Sequence, residues 1–291
     1  MTYRLLTVHA HPDDESSKGS ATLAAYRARG VETMVVSCTG GEGGDLLNPA
    51  LADVAMIERD MAGYRRFEMA AAREVLDTQH RWLGYHDSGM PNDDGTAPAR
   101  SFAAIPLHIS AGVLVRVIRE FRPHVMITYD ENGGYPHPDH IRCHEVSMEA
   151  FEAAADPARY PDAGEPWSVS KLYYDHIFNF ARVKANYDML LATTPDDPLA
   201  ERLGEMLSWR EERSGTEDRT TTHIPCGDFF ETRDAALRSH ASQVPADSPF
   251  FFWSNDLQRA AWPYEDYELA RTRLDTPEDE HDFFAGIEDD R

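Results

Sequence analysis

Leu5-Leu6-Thr7-Val8-His9-Ala10-His11-Pro12-Asp13-Asp14-Glu15 changes character halfway along. Leu5 to Val8 reads as a buried strand, short, apolar and rich in branched side chains. The five residues from His11 to Glu15 then crowd three carboxylates and an imidazole into the turn at its mouth. Packing does not favour like charges there, but a divalent cation does, because it stabilises carboxylates that otherwise repel. A second cluster, Tyr135-Pro136-His137-Pro138-Asp139-His140, follows another apolar run, Val125-Met126-Ile127-Thr128-Tyr129. Two such clusters at two strand ends read as halves of one metal site.

Working outward, the chain alternates strand and helix. Strands are predicted over 3–9, 33–38, 81–84 and 125–129, and helices over 16–29, 54–76 and 107–121. Ser16 or Ser17 is the N-cap of the first helix and Gly30 its C-cap. This order predicts an α/β fold, a Rossmann-like, doubly wound and mostly parallel sheet with helices on both faces. Ligands bind such sheets beyond the carboxyl ends of the strands. The unusual loops, at 10–15, 39–45, 85–91 and 130–140, all fall at those ends. The expected division is a hydrolase core over 1–165, then a smaller mixed segment over 166–274 that packs on the core and borders the pocket. That segment holds a strand at 171–175, a polar helix near 199–213 and the apolar run 250–253, expected to pack on the core. A mobile acidic tail over 275–291 ends the chain.

The 291 residues carry 51 acidic against 28 basic side chains, a formal charge of -23. This argues against nucleic acid and anionic membrane as partners, since both select basic surfaces. Cys38, Cys143 and Cys226 are odd in number, widely spaced and without a CxxC pattern. That is cytosolic usage, and the expected compartment is the cytoplasm. No signal-like start and no apolar stretch of spanning length is read. The oligomeric state is not legible.

A catalytic zinc commonly has three protein ligands and one open position. His11 and Asp14, three apart in a turn, can face one ion, with His140 as third ligand. Two imidazoles and a carboxylate suit zinc or ferrous iron better than magnesium. Asp13 is then free to take a proton from water. His137 can act as general acid or as oxyanion donor, and Asp139 can orient an imidazole. Tyr135 can donate to the oxyanion or cover the loop as an aromatic lid. His144, four residues after His140, is a rival ligand. Taken singly, each residue has a blander reading: a core histidine, or acids favoured by a helix N-terminus. The glycine-rich loop at 40–44 has no cation for phosphate, and its Glu42 reads as a neighbour of the site.

In these two clusters the chain resembles the PIG-L/LmbE family of zinc-dependent N-acylglucosamine hydrolases. The family pattern, Ala-His-Pro-Asp-Asp-Glu after strand one and His-Pro-Asp-His after a later strand, occurs as Ala10 to Glu15 and His137 to His140. The resemblance implies His11, Asp14 and His140 as metal ligands and Asp13 as base, with His137 and Tyr135 at the oxyanion and leaving group. It implies that Arg65 and Asp87 hold sugar hydroxyls. Without it, Arg65 reads as a surface cation and Asp87 as a loop cap. Ser16-Ser17-Lys18-Gly19 after the metal turn is similar to the branch that cleaves thiol S-conjugates of N-acyl-glucosaminyl-inositol. In that branch Lys18 contacts an acyl group larger than acetyl, and His240 in Leu237-Arg238-Ser239-His240 borders the pocket. The alternatives are the branch that removes acetate from N-acetylglucosaminyl-inositol, and a non-catalytic metal or nucleotide binder. Against nucleotides, the first turn holds acids where a glycine-rich phosphate loop belongs.

Overall fold

The computed structural model describes the chain except residues 1, 53, 177–178, 214–218, 278 and 289–291. In chain order the elements are β1 (Arg4–His9), α1 (Asp14–Ser17), α2 (Ser20–Ala28), β2 (Glu32–Thr39), α3 (Val54–Arg59), α4 (Met61–Leu76) and β3 (Gln79–Tyr85). Then come α5 (Leu107–Phe121), β4 (Val125–Thr128), α6 (Pro138–Ala155), β5 (Lys171–Asp175), α7 (Phe180–Thr193) and α8 (Pro198–Arg213). The chain ends with β6 (Thr222–Pro225), α9 (Phe230–Ser239), α10 (Asn255–Ala261) and β7 (Tyr264–Thr272).

The strands form one seven-stranded sheet in the order β3-β2-β1-β4-β5-β7-β6. The first five are parallel, and β7 and β6 join antiparallel. Alternation along β1 sends side chains to both faces. Leu6 and Val8 pack with α5 and α6 through Leu114, Ile118, Val146 and Phe151. Leu5 packs on the other face with Leu23, Tyr26, Met69 and Leu76 from α2 and α4. The fold is therefore the expected α/β sheet with helices on both faces. Strand order reverses between β1 and β4, so the loops leaving these neighbours diverge and open a crevice. Both acidic clusters lie there.

Several details differ from the sequence reading. The helix predicted over 16–29 is two helices, because the chain turns at Lys18 and at Gly19, whose φ is 101°. The first begins at Asp14, with Asp13 as its N-cap. The helix predicted over 54–76 breaks at Asp60, whose carboxylate caps α4 by accepting from the Gly63 N–H at 2.9 Å. Beyond residue 165, β5, β7 and β6 extend the same sheet rather than starting a new one. Phe250 and Phe252 remain 37% and 41% exposed. Trp253 packs on Leu190, Leu203 and Leu257 of α7, α8 and α10, not on the core.

The tail from residue 275 is acidic, yet its described part is anchored. Phe283, Phe284 and Ile287 are buried against Tyr26, Tyr173 and Tyr267. Glu280, also buried, accepts from Lys171 Nζ at 2.5 Å and from the Tyr173 hydroxyl at 2.6 Å. Charge density suggested mobility, but three apolar residues and one satisfied carboxylate outweigh it. Residues 278 and 289–291 of this tail lie outside the described residues.

Candidate metal centre and active site

The turn after β1 carries His11, Asp13 and Asp14, and the N-terminus of α6 carries His137, Asp139 and His140. His140 Nε2 lies 3.3 Å from His11 Nδ1 and 3.4 Å from Asp14 Oδ2. His11 Nδ1 lies 3.6 Å from Asp14 Oδ2. A four-coordinate ion with ligand bonds of about 2.0–2.1 Å needs ligand–ligand edges of roughly 3.3–3.4 Å. The triangle matches that requirement.

The outer hydrogen bonds point the ring lone pairs the same way. His140 Nδ1 donates to the Gly133 carbonyl at 2.9 Å, leaving Nε2 as an acceptor. His11 Nε2 faces Asp139 Oδ2 at 3.4 Å, which places its proton there and leaves Nδ1 free to ligate. Asp139, fully buried, is itself fixed by the N–H groups of Ser88 at 2.8 Å and Ala103 at 3.1 Å. Asp87 Oδ1 adds a further carboxylate 3.6 Å from His11 Nε2. Burial alone lowers His11, but Asp139, Asp14 and Asp87 outweigh it and raise the imidazole well above its ordinary value. Positive charge, as proton or cation, is favoured at this point. Burial takes His140 down to about 3, so it is neutral, as a ligand must be.

Two other groups of ligand atoms fall within 4.8 Å of one another: His11 with His137 and His140, and His11 with Asp87 and Asp139. Neither is as well prepared. His137 Nδ1 is engaged by the Asp139 N–H at 3.2 Å, and Asp139 already accepts from two backbone donors. The rival His144 turns away and its Nδ1 donates to the Tyr129 carbonyl at 3.0 Å.

Asp14 is the most heavily supported carboxylate. Oδ2 accepts from the Tyr129 hydroxyl at 2.8 Å and the His11 N–H at 3.0 Å, and Oδ1 accepts from Lys18 Nζ at 2.5 Å. Burial would raise it, but Lys18 and then His140 hold it well below the usual carboxylate range. Lys18 is buried, and its ammonium is held by the Asp14 carboxylate rather than by solvent.

Asp13 sits on the solvent side of the turn, its side chain 24% exposed, with φ 112°, a conformation costly for a residue with a Cβ. Its Oδ2 accepts from Arg65 Nη2 at 3.0 Å. Burial raises Asp13 above its ordinary value, and Arg65 opposes the rise. Arg65 is buried, contrary to a surface reading. It also donates to the carbonyls of Pro12 and, at 2.8 Å, Gly41. A Cβ on Gly41, whose φ is +69°, would fall inside this guanidinium, which is why the loop uses glycine. Glu42 is a loop clamp, accepting from His86 Nδ1 at 3.0 Å and the Asp87 N–H at 3.2 Å.

His137 is the N-cap of α6, and the Asp139 N–H bond to Nδ1 leaves its proton on Nε2. Burial, then the neighbouring His11, lowers it, so it is a neutral donor. Its ring meets that of His11 edge-on at 4.8 Å. Tyr135 is 51% exposed and covers His140, ring centroids 4.5 Å apart.

His240 does not border open space. It is fully buried behind the metal turn, with Nε2 2.7 Å from Glu15 Oε1. Sequence reading missed this pair and Tyr129, since a glutamate, a histidine and a core tyrosine carry no sign of partners so far along the chain. Burial alone would raise Glu15, but His240 brings it down to about 2. His240 is raised by Glu15 despite its burial. Glu15 thus adds stability above its ordinary value of 4.5, lost as pH falls towards 2, on the order of 3 kcal/mol. The His240 contribution is complete below 6.5 and fades as pH rises through its higher folded value. The pair acts most strongly between these limits. His240→Ala, leaving a buried carboxylate alone, is expected to cost about 3–5 kcal/mol in urea unfolding near pH 6. A change under about 1 kcal/mol would contradict the assigned pairing.

Residues 6–151 match the family model described as PIG-L, GlcNAc-PI de-N-acetylase. The chain is 48% identical over 291 residues to a mycothiol S-conjugate amidase of Streptomyces coelicolor, covering 98% of each. It is 41% identical to a 1D-myo-inositol 2-acetamido-2-deoxy-alpha-D-glucopyranoside deacetylase of Streptomyces avermitilis, covering 98% of this chain and 97% of that one. Among solved structures, an N,N'-diacetylchitobiose deacetylase from Pyrococcus horikoshii superposes with a TM-score of 0.61 at 18% identity, over 91% of this chain and 83% of that one. A 4-carboxy-2-hydroxymuconate hydratase superposes with the same TM-score at 15% identity, over 95% and 99%. At such identities the likeness is one of fold, and the hydratase illustrates that fold does not set the reaction.

Proposed function

The chain belongs to the PIG-L family, and from that premise we propose that it is a metal-dependent amidase acting on mycothiol S-conjugates. It releases an S-substituted N-acetylcysteine and the glucosaminyl-inositol amine. The observation that carries the reading is the 48% identity to such an amidase along the whole chain, against 41% to the deacetylase. His11, Asp14 and His140 are the proposed ligands, and their nitrogen and oxygen donors suit zinc, with ferrous iron as the competitor. When bound, the ion lowers the pKa of water and polarises the scissile carbonyl. Asp13, held by Arg65, takes the proton from the attacking water and returns it to the leaving nitrogen as the C–N bond breaks. His137 donates its Nε2 proton in a hydrogen bond to the developing oxyanion, and Tyr135 covers it. Asp139 keeps His11 in the ligating tautomer. Lys18 and Tyr129 hold Asp14.

Asp87 is the proposed sugar contact. Arg65, spent on Asp13 and two carbonyls, acts through the base rather than on the sugar. Three free cysteines agree with a cytoplasmic enzyme. Among the described residues no helix is long and apolar enough to cross a membrane. The test is turnover, by the zinc-loaded protein, of a mycothiol conjugate and of N-acetylglucosaminyl-inositol at matched concentrations. A specificity constant at least about tenfold higher on the conjugate is expected. Preference for the acetylated sugar would transfer the protein to the deacetylase branch.

A further inference from the structure

A ligating imidazole must present one nitrogen without a proton, and the partner of the other nitrogen decides which. For His140 that partner is the Gly133 carbonyl, which accepts from Nδ1 at 2.9 Å. This carbonyl belongs to the loop between β4 and α6, not to either element. The loop faces solvent: Glu131, Asn132, Gly134 and Tyr135 are exposed, and Gly133 between them is buried. A carbonyl on such a loop keeps its aim only if the loop is held.

The holding group is Asp130. Its Oδ1 accepts from the N–H groups of Asn132 at 3.0 Å and Gly134 at 2.8 Å, and its carbonyl accepts from the Gly133 N–H at 2.9 Å. Three successive N–H groups are gathered on one residue, as an aspartate does when its side chain closes a turn. Gly133 fits this turn at φ +73°, and it approaches α6 so closely that a Cβ would stand 2.6 Å from His140 Cβ. The loop has a second tie, from Arg219 to Glu131 at 2.8 Å. Both of those side chains are exposed, and such a pair is too weak to fix the loop.

We propose that Asp130 is a positioning residue for the metal site. By fixing the Gly133 carbonyl it holds the His140 proton on Nδ1 and keeps Nε2 free to face His11 and Asp14. The inference rests on the assignment of His140 as a ligand. Asp130 acts through the loop, and what it supplies is an acceptor oxygen rather than a charge. Asparagine therefore serves in its place and alanine does not. Without the turn the carbonyl loses its aim, and the ring is free to carry its proton on Nε2, a form that cannot ligate through that atom.

The first experiment measures zinc affinity of the parent, Asp130→Ala and Asp130→Asn by competition with a chromophoric chelator near neutral pH. Asp130→Ala is expected to bind zinc about 10–100-fold more weakly, the range for loss of a group that orients a ligand, and Asp130→Asn to stay within about threefold of the parent. Parent-like affinity in Asp130→Ala overturns the proposal. So does an equal loss in both variants, which would make the charge of Asp130 the cause and not its turn. The second experiment is nitrogen NMR of the metal-free protein with labelled histidine, the His140 signals being those absent from His140→Ala. In the parent the proton is expected on Nδ1, and a proton on Nε2 overturns the proposal without any variant of Asp130. In Asp130→Ala a mixture of both forms is expected, and an unchanged Nδ1–H form overturns it. If the parent binds no zinc, the ligand assignment falls, and the NMR comparison still decides whether Asp130 orients His140.

Discussion

His140→Ala is expected to remove both the metal and the activity. The imidazole is fully buried, its Nδ1 is committed to the Gly133 carbonyl, and its Nε2 completes a triangle with His11 Nδ1 and Asp14 Oδ2. Alanine deletes one of the three proposed ligands and leaves two that cannot enclose an ion. Metal analysis after gel filtration should find the variant essentially free of zinc, and conjugate hydrolysis should fall to background at any zinc concentration that does not precipitate the protein. His11→Ala should behave alike, since Asp139 orients that ring and alanine removes its Nδ1. His144→Ala is the control. That residue bonds the Tyr129 carbonyl and should keep its metal. Retention of a full zinc complement by His140→Ala would dismantle the site described above.

Asp13→Asn is expected to keep the metal and lose about 10²–10⁴-fold in kcat, the range for removal of a general base. Asparagine keeps the shape, tolerates the positive φ of this position and can still accept from Arg65. What it lacks is a basic oxygen. The pH profile gives a second check. Burial raises Asp13, so kcat of the parent enzyme should decline on the acid side through a value above the ordinary 3.8, as the carboxylate takes up its proton. That limb should be missing from the residual activity of Asp13→Asn. Loss of zinc with the substitution would make Asp13 a ligand and reverse the division of labour with Asp14.

These proposed roles were legible to different degrees in the sequence. The strand before His11, the strand before Tyr135 and the acids in the turns after them are local patterns. Periodicity and like-charge crowding act over a few residues, so they can be read from a string. The same holds for α5, predicted over 107–121 and found there. The break in the first helix falls at Gly19, between Ser17 and Ser20, all weak helix formers, and the strong helical pattern from Ala21 to Arg29 masks that local signal. The tail was misread because composition counts its acids and not the buried positions of Phe283 and Phe284.

The α/β class, the two acidic turns and their chemical kinship thus follow from sequence-local physics. What each charged side chain does was settled by folding, because a charge is given its role by the partner it reaches. Lys18 reaches Asp14 and becomes a brace for that carboxylate. Arg65, outwardly a helix-surface cation, is drawn in to the carbonyls of Pro12 and Gly41 and to Asp13. Glu15 and His240, 225 positions apart, are brought to 2.7 Å, both fully buried. Buried charge must be compensated by whatever the tertiary structure sets beside it, and no pattern within a short window of sequence specifies that neighbour.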